Sequence, residues 1–172
     1  MRSKPVSKSE TDSKMSIATR RGFFGALGSL FKENKSPIRP PYASVAATFD
    51  ECRSCEGMCS SACEENIIRR DEKGIPYLDF KIGGCSDCSK CLEACVPDVL
   101  NDPERFISAK VRINTTLCMA HNGTICSACK DPCLENAIMF KGLFEPIVIP
   151  DLCTGCGYCV APCPTEAMVV YR

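Results

Sequence analysis

Sixteen cysteines fall into four groups of four, with none left over. The groups are Cys52, Cys55, Cys59, Cys63; Cys85, Cys88, Cys91, Cys95; Cys118, Cys126, Cys129, Cys133; and Cys153, Cys156, Cys159, Cys163. The second and fourth read C-x2-C-x2-C-x3-C without deviation. Thiolates at that spacing ligate cubane iron–sulfur clusters, three from one loop and a fourth slightly downstream. Four quartets therefore imply up to four [4Fe-4S] clusters, with all sixteen cysteines as iron ligands. The expected work is electron handling.

Zinc also takes four thiolates, but zinc ribbons separate their C-x2-C pairs by a longer gap than is found here. Disulfide scaffolds belong to short secreted domains and rarely carry repeated C-x-x-C steps. A structural zinc protein without redox activity remains the alternative from another class. No nucleophile–base pair, Gly-rich phosphate loop or spare cysteine suggests catalysis, so the expectation is an electron carrier or accessory protein and not an enzyme. No nucleic-acid partner is expected. The chain has no Trp, and its small units have too little apolar area to be secure without a metal. The cluster-free protein is therefore expected to be largely unfolded.

The elements that must position the cysteines repeat with them. The leading cysteines, at 52, 85, 118 and 153, are spaced by 33, 33 and 35 residues, an internal repeat. After each last cysteine the sequence predicts a short helical patch: Glu64–Ile68, Val96–Leu100, Leu134–Ile138 and Pro164–Met168. Before three quartets it predicts strands over Tyr77–Ile82, Lys110–Ile113 and Ile147–Ile149. Gly74-Ile75-Pro76 and Phe144-Glu145-Pro146 mark chain reversals between helix and strand. The fold class is thus α+β, each repeat reading strand, cluster loop, one- to three-turn helix, turn.

Two quartets depart from the regular spacing. The first has C-x3-C in its middle step, and the third opens with C-x7-C. The extra residues, Met119–Ile125, should form a bulged loop and contain the sole histidine, His121. With four cysteines already present, His121 reads as a loop residue, and the bulge as a contact surface.

Charge is lopsided although the net is zero. Residues 1–40 carry nine Lys/Arg against three Asp/Glu, and residues 41–172 carry twelve against eighteen. Thiolate-ligated clusters add further negative charge to the body. An acidic body suits docking to a basic partner patch or to its own basic arm.

The arm, residues 1–43, comprises a Ser-rich tail expected to be disordered, an amphipathic segment over 19–33 and a Pro-rich linker. Thr19-Arg20-Arg21-Gly22-Phe23-Phe24 has the form of a twin-arginine export motif. The apolar stretch after it is too short to span a bilayer, which leaves peripheral membrane contact at most. On a helix, Phe23, Phe24, Leu27, Leu30 and Phe31 share one face, as in a helix that lies in a partner's groove. Two uses stay open: partner docking through Arg20, Arg21, Phe23, Phe24 and Leu27, or direction to the periplasm.

Residues 44–172 resemble the two-cluster bacterial ferredoxin fold on the strength of the quartets. The resemblance implies two tandem ferredoxin-like modules, 44–105 and 106–172, each βαββαβ-like. In that fold the fourth cysteine of each quartet serves the other cluster. Carried over, one cluster would take Cys52, Cys55, Cys59 and Cys95, and its neighbour Cys85, Cys88, Cys91 and Cys63. The second module would use Cys118, Cys126, Cys129 and Cys163, then Cys153, Cys156, Cys159 and Cys133. Pairing of the second repeat with the third is the rival arrangement.

Arm, linker and quartets together resemble the NapF family, ferredoxin-type proteins of periplasmic nitrate reductase systems. The residues that carry this likeness are Arg20-Arg21-Gly22, Ile38-Arg39-Pro40-Pro41-Tyr42, the irregular first quartet and the C-x7-C opening of the third. It implies a cytoplasmic accessory protein that binds the catalytic subunit of periplasmic nitrate reductase. There it would assist maturation, through iron–sulfur loading or redox activation, before export. The alternative is an electron-transfer subunit between a quinol-linked donor and a reductase.

Overall fold

The computed structural model describes residues 36–44 and 46–172. The amphipathic segment 19–33, with Arg20, Arg21, Phe23, Phe24 and Leu27, lies outside them. The described chain contains a 3-10 turn at Glu51–Arg53, helices α1 (Met58–Ala62) and α2 (Lys90–Glu93), and six short strands. The strands are β1 (Ile68–Arg70), β2 (Pro76–Leu78), β3 (Lys110–Ile113), β4 (Ile138–Lys141), β5 (Glu145–Val148) and β6 (Met168–Tyr171). The body is thus small and α+β.

All strand pairs are antiparallel. Hairpin β1–β2 sets Ile68 against Leu78 and Arg70 against Pro76. Hairpin β4–β5 sets Ile138 against Val148 and Lys141 against Glu145. Strand β3 pairs across a long separation with β6, Lys110 facing Tyr171 and Ile113 facing Met168. A single bridge, Ala43 to Leu100, makes a comparable long closure earlier in the chain.

The helical patches expected after each fourth cysteine do not form. Each of those cysteines instead opens a tight turn, its carbonyl accepting the amide N–H three residues on: Asn66 to Cys63, Asp98 to Cys95, Asn136 to Cys133 and Glu166 to Cys163. All four closing residues are left-handed, with φ of 55°, 56°, 50° and 51°. A left-handed residue ends any right-handed helix, and Asn and Asp tolerate that conformation best. Helix appears instead around the third cysteine of the first two quartets, as α1 and α2, each starting one residue before it.

Each turn delivers an apolar pair into the interior: Ile67-Ile68, Val99-Leu100, Ala137-Ile138 and Ala167-Met168, all buried. Ile67, Ile68 and Leu100 are 1%, 4% and 2% exposed, and each such side chain contributes roughly 1.5–3 kcal/mol through burial. The expected strand Lys110–Ile113 forms with those bounds. Those expected at Tyr77–Ile82 and Ile147–Ile149 start earlier and stop sooner, as β2 and β5.

The Pro-rich stretch also packs. Pro40 and Pro41 are fully buried, and Tyr42 is 5% exposed. The Ile38 carbonyl accepts the Leu78 N–H at 2.8 Å, and Arg39 Nη1 donates to the Pro76 carbonyl at 2.9 Å. One core joins Tyr42, Ile67, Leu78, Phe80, Leu100 and Ile107, and a second joins Val111, Ile138 and Met168. Val160 and Val170 pack against both.

Candidate metal centres

The first, third and fourth quartet loops are tied down through their own carbonyls. Arg70, on β1, donates from Nη2 to the Cys52 and Cys55 carbonyls at 2.7 Å each and from Nε to Gly74 at 2.8 Å. Asn122 donates from Nδ2 to the Cys118 carbonyl at 2.7 Å and to those of Thr115 and Thr116. Lys110, on β3, donates from Nζ to the carbonyls of Pro150 and Cys153 at 2.9 and 2.7 Å. A loop folded around cysteines has few backbone partners of its own, so side chains must satisfy its exposed acceptors. Sequence reasoning missed these three residues. Their one signal is a side chain with N–H donors on a short strand or loop beside a quartet.

Asn122 also explains the long spacing in the third quartet. The Met119–Ile125 segment folds back on Cys118, with the Asn122 amide N–H donating to Cys118 and that of Thr124 to Met119. Gly123, at φ 81°, lets the chain reverse. His121 lies in this turn with its Nδ1 buried and unpartnered, while Ile125, next to Cys126, is exposed.

The sulfur atoms are not isolated. Amide N–H groups donate to them from Gly57 to Cys55 (3.4 Å), Leu100 to Cys95 (3.3 Å) and Ala167 to Cys163 (3.2 Å). Such bonds stabilise a thiolate and raise the potential of an attached cluster.

Electrostatics shows which thiols share space. Burial first, then negative charge on Cys59, Cys95 and Cys55, pushes the Cys52 thiol up. Burial and Cys95 do the same to Cys59. Burial, with Cys85, Cys63, Cys59 and Cys88, pushes Cys91 up to about 12. Burial raises Cys129 to about 11, aided by Cys163, Cys118 and Cys126. Cys159 rises to about 12 through burial and then Cys156, Cys153, Cys129 and Cys133. Burial thus favours the protonated thiol at these cysteines, and an incoming metal would displace those protons.

Two cavities have matching walls. Cys63 lines one together with Cys85, Cys88 and Cys91, against Ile67 and Leu78. Cys133 lines the other with Cys153, Cys156 and Cys159, against Val111 and Ile138. In each, the fourth cysteine comes from the neighbouring quartet. Among the described residues no three His, Cys, Asp or Glu side chains crowd closely enough for a single metal ion. A cubane spreads its thiolates over separate iron atoms, so its ligands stand wider apart than those around one zinc. The all-thiolate donor set and the apolar walls fit such a cluster.

A cation also sits beside Cys85. Burial raises Cys85, but the Asp87 amide and the Arg105 guanidinium oppose the rise. Arg105 Nε also lies 3.4 Å from Asp87 Oδ1, which accepts a 2.6 Å hydrogen bond from the Tyr42 hydroxyl. A positive charge near a ligand sulfur favours the more negative, reduced state. Arg105→Leu is therefore expected to lower one midpoint potential by on the order of 60 mV, a tenfold change in a one-electron equilibrium. An EPR-monitored redox titration with all midpoints unmoved would contradict this.

Comparison with known proteins matches residues 146–169 to the 4Fe-4S binding domain family. The ferredoxin-type protein NapF of Escherichia coli (strain K12) is 34% identical over 157 residues, covering 88% of this chain and 93% of that protein. NapF of Haemophilus influenzae is 36% identical over 159 residues, 87% of this chain and 89% of its own length. The ferredoxin-type protein NapG of the same organism is 27% identical over 97% of this chain and 72% of that protein.

Proposed function

Since the chain belongs to the NapF family of ferredoxin-type proteins and binds [4Fe-4S] clusters, we propose that it holds four of them, in two tandem two-cluster modules, on all sixteen cysteines. The ligation is crossed, as the neighbouring fourth cysteine in each cavity wall supports. Pairing of β3 with β6, and the bridge from Ala43 to Leu100, supports joining the first repeat to the second and the third to the fourth.

The clusters, when bound, supply one-electron chemistry. The chain's residues do the rest: Arg70, Asn122 and Lys110 hold the loops, amide N–H groups stabilise sulfur, and apolar walls exclude water.

On this reading the protein is a cytoplasmic accessory factor, not an enzyme. It binds the catalytic subunit of periplasmic nitrate reductase and assists its iron–sulfur or redox maturation before export. Family membership carries that conclusion. Among the described residues no helix is long and apolar enough to cross a membrane. The arm, through Arg20, Arg21, Phe23, Phe24 and Leu27, is the proposed docking segment.

Deleting residues 16–36 is expected to leave iron and sulfide content unchanged while sharply reducing anaerobic co-purification of the catalytic subunit. Undiminished co-purification removes the arm from docking. Normal accumulation of active reductase in cells without the protein sinks the maturation role and favours an electron-transfer subunit.

A further inference from the structure

We propose that electrons pass between the two halves of the chain where the second quartet meets the fourth, so that the quartets work in series in the order one, two, four, three. The proposal rests on the reading of the cysteines as cluster ligands.

The two regular quartets touch through their own backbones. The Cys85 amide N–H donates to the Cys156 carbonyl at 2.7 Å. A path through Sγ, Cβ, Cα and N of Cys85 thus meets O, C, Cα, Cβ and Sγ of Cys156 across one hydrogen bond. Two ligand residues of different quartets are joined with no side chain between them. Electron tunnelling weakens steeply with distance and with each through-space gap, which makes a hydrogen-bonded ligand pair a favourable crossing.

Glycines make this approach possible. A Cβ on Gly84 would lie 2.5 Å from both the backbone nitrogen and the ring Cγ of Tyr158. One on Gly157 would lie 2.1 Å from the Phe80 ring, and Gly157 also sits at φ 86°. Gly155 presses on the Ala109 carbonyl in the same way, 2.4 Å from where its Cβ would be. Only residues without a side chain let two loops close to this degree. Tyr158 then clasps the contact from outside, its hydroxyl donating to Glu65 Oε1 at 2.8 Å.

Within each half the quartets are also near neighbours. Cys59 of the first bears on Cys91 of the second, and Cys129 of the third on Cys159 of the fourth. The irregular quartets thereby become the two ends of the series. Met58 beside Cys59 and Ile125 beside Cys126 are exposed at those ends, at 44% and 79%, as Val96 and Leu152 are beside the second and fourth quartets.

Each crossing moves one electron. The quartet that releases it is oxidised by one unit and the one that receives it is reduced by one. No bond is made or broken and no proton moves. The electron enters from an external one-electron donor.

Methyl viologen radical, generated by a pulse in amounts below one electron per molecule, serves as that donor in the test. Wild-type protein should reach its final electron distribution at a rate independent of protein concentration. Gly84→Val and Tyr158→Ala, compared at wild-type iron and sulfide content, should slow or lose that phase. A final phase in the wild type whose rate rises with protein concentration means transfer between molecules and overturns the crossing. An unchanged rate in iron-replete Gly84→Val does the same. Wild-type protein free of iron and sulfide overturns instead the ligand reading beneath it.

Discussion

Replacing Cys95 with serine is expected to remove the cluster of the first quartet while sparing that of the second, to which Cys95 belongs in sequence. The negative charge of Cys95 bears on Cys52 and Cys59, whereas the space beside Cys85, Cys88 and Cys91 is completed by Cys63. Double variants make the test sharp, because residues of one site are non-additive and residues of separate sites add. Cys52→Ser with Cys95→Ser should lose no more iron than either alone. Cys91→Ser with Cys95→Ser should lose two clusters' worth of iron and sulfide. Cys63→Ser is the mirror case, damaging the second quartet. If Cys91 and Cys95 instead behave as one site, the crossed arrangement is wrong.

Removing the iron is expected to abolish the folded state. Cysteine is part of the interior: Cys52, Cys91, Cys118, Cys129 and Cys159 are all buried beside the apolar residues. The remaining scaffold is three separate two-stranded sheets with strands of three or four residues. Two-stranded ribbons of that size are marginal in water. Metal binding at thiolate sites in small domains contributes on the order of 10 kcal/mol to folding, as much as a whole domain's stability. Anaerobic chelation should therefore erase the cooperative urea transition and most of the sheet signal in far-UV circular dichroism. A cooperative transition that survives chelation would show that the apolar pairs after each turn suffice alone.

The repeat was legible in sequence, but its secondary structure was misread at one recurrent place. Glu64–Ile68 and its three counterparts have helix-compatible compositions, and the sole local hint of a left-handed turn is the Asn or Asp at three of the four closing positions, Asn66, Asp98 and Asn136, with Glu166 carrying none. The residues immediately downstream make that choice, because apolar pairs such as Ile67-Ile68 reach the interior only if the chain reverses first. The same logic explains Arg70 and Lys110. A basic residue on a strand normally marks a solvated face, yet here each reaches the carbonyls of a cluster loop.

Spacing along the chain determined the chemistry unaided, because three thiolates within a short loop converge locally, whatever the rest of the fold does. The four cysteine quartets, the binding of [4Fe-4S] clusters and the family likeness all stem from residue type and interval. Which quartets touch is a different kind of fact. The bond from Cys85 to Cys156 and the clasp of Tyr158 on Glu65 join residues far apart in sequence. They depend on the summed geometry of every strand pairing between them, and on glycines whose need is visible only once a neighbour stands where a side chain would be. Local distances are written in the sequence, while distances across the body exist only after the chain has folded.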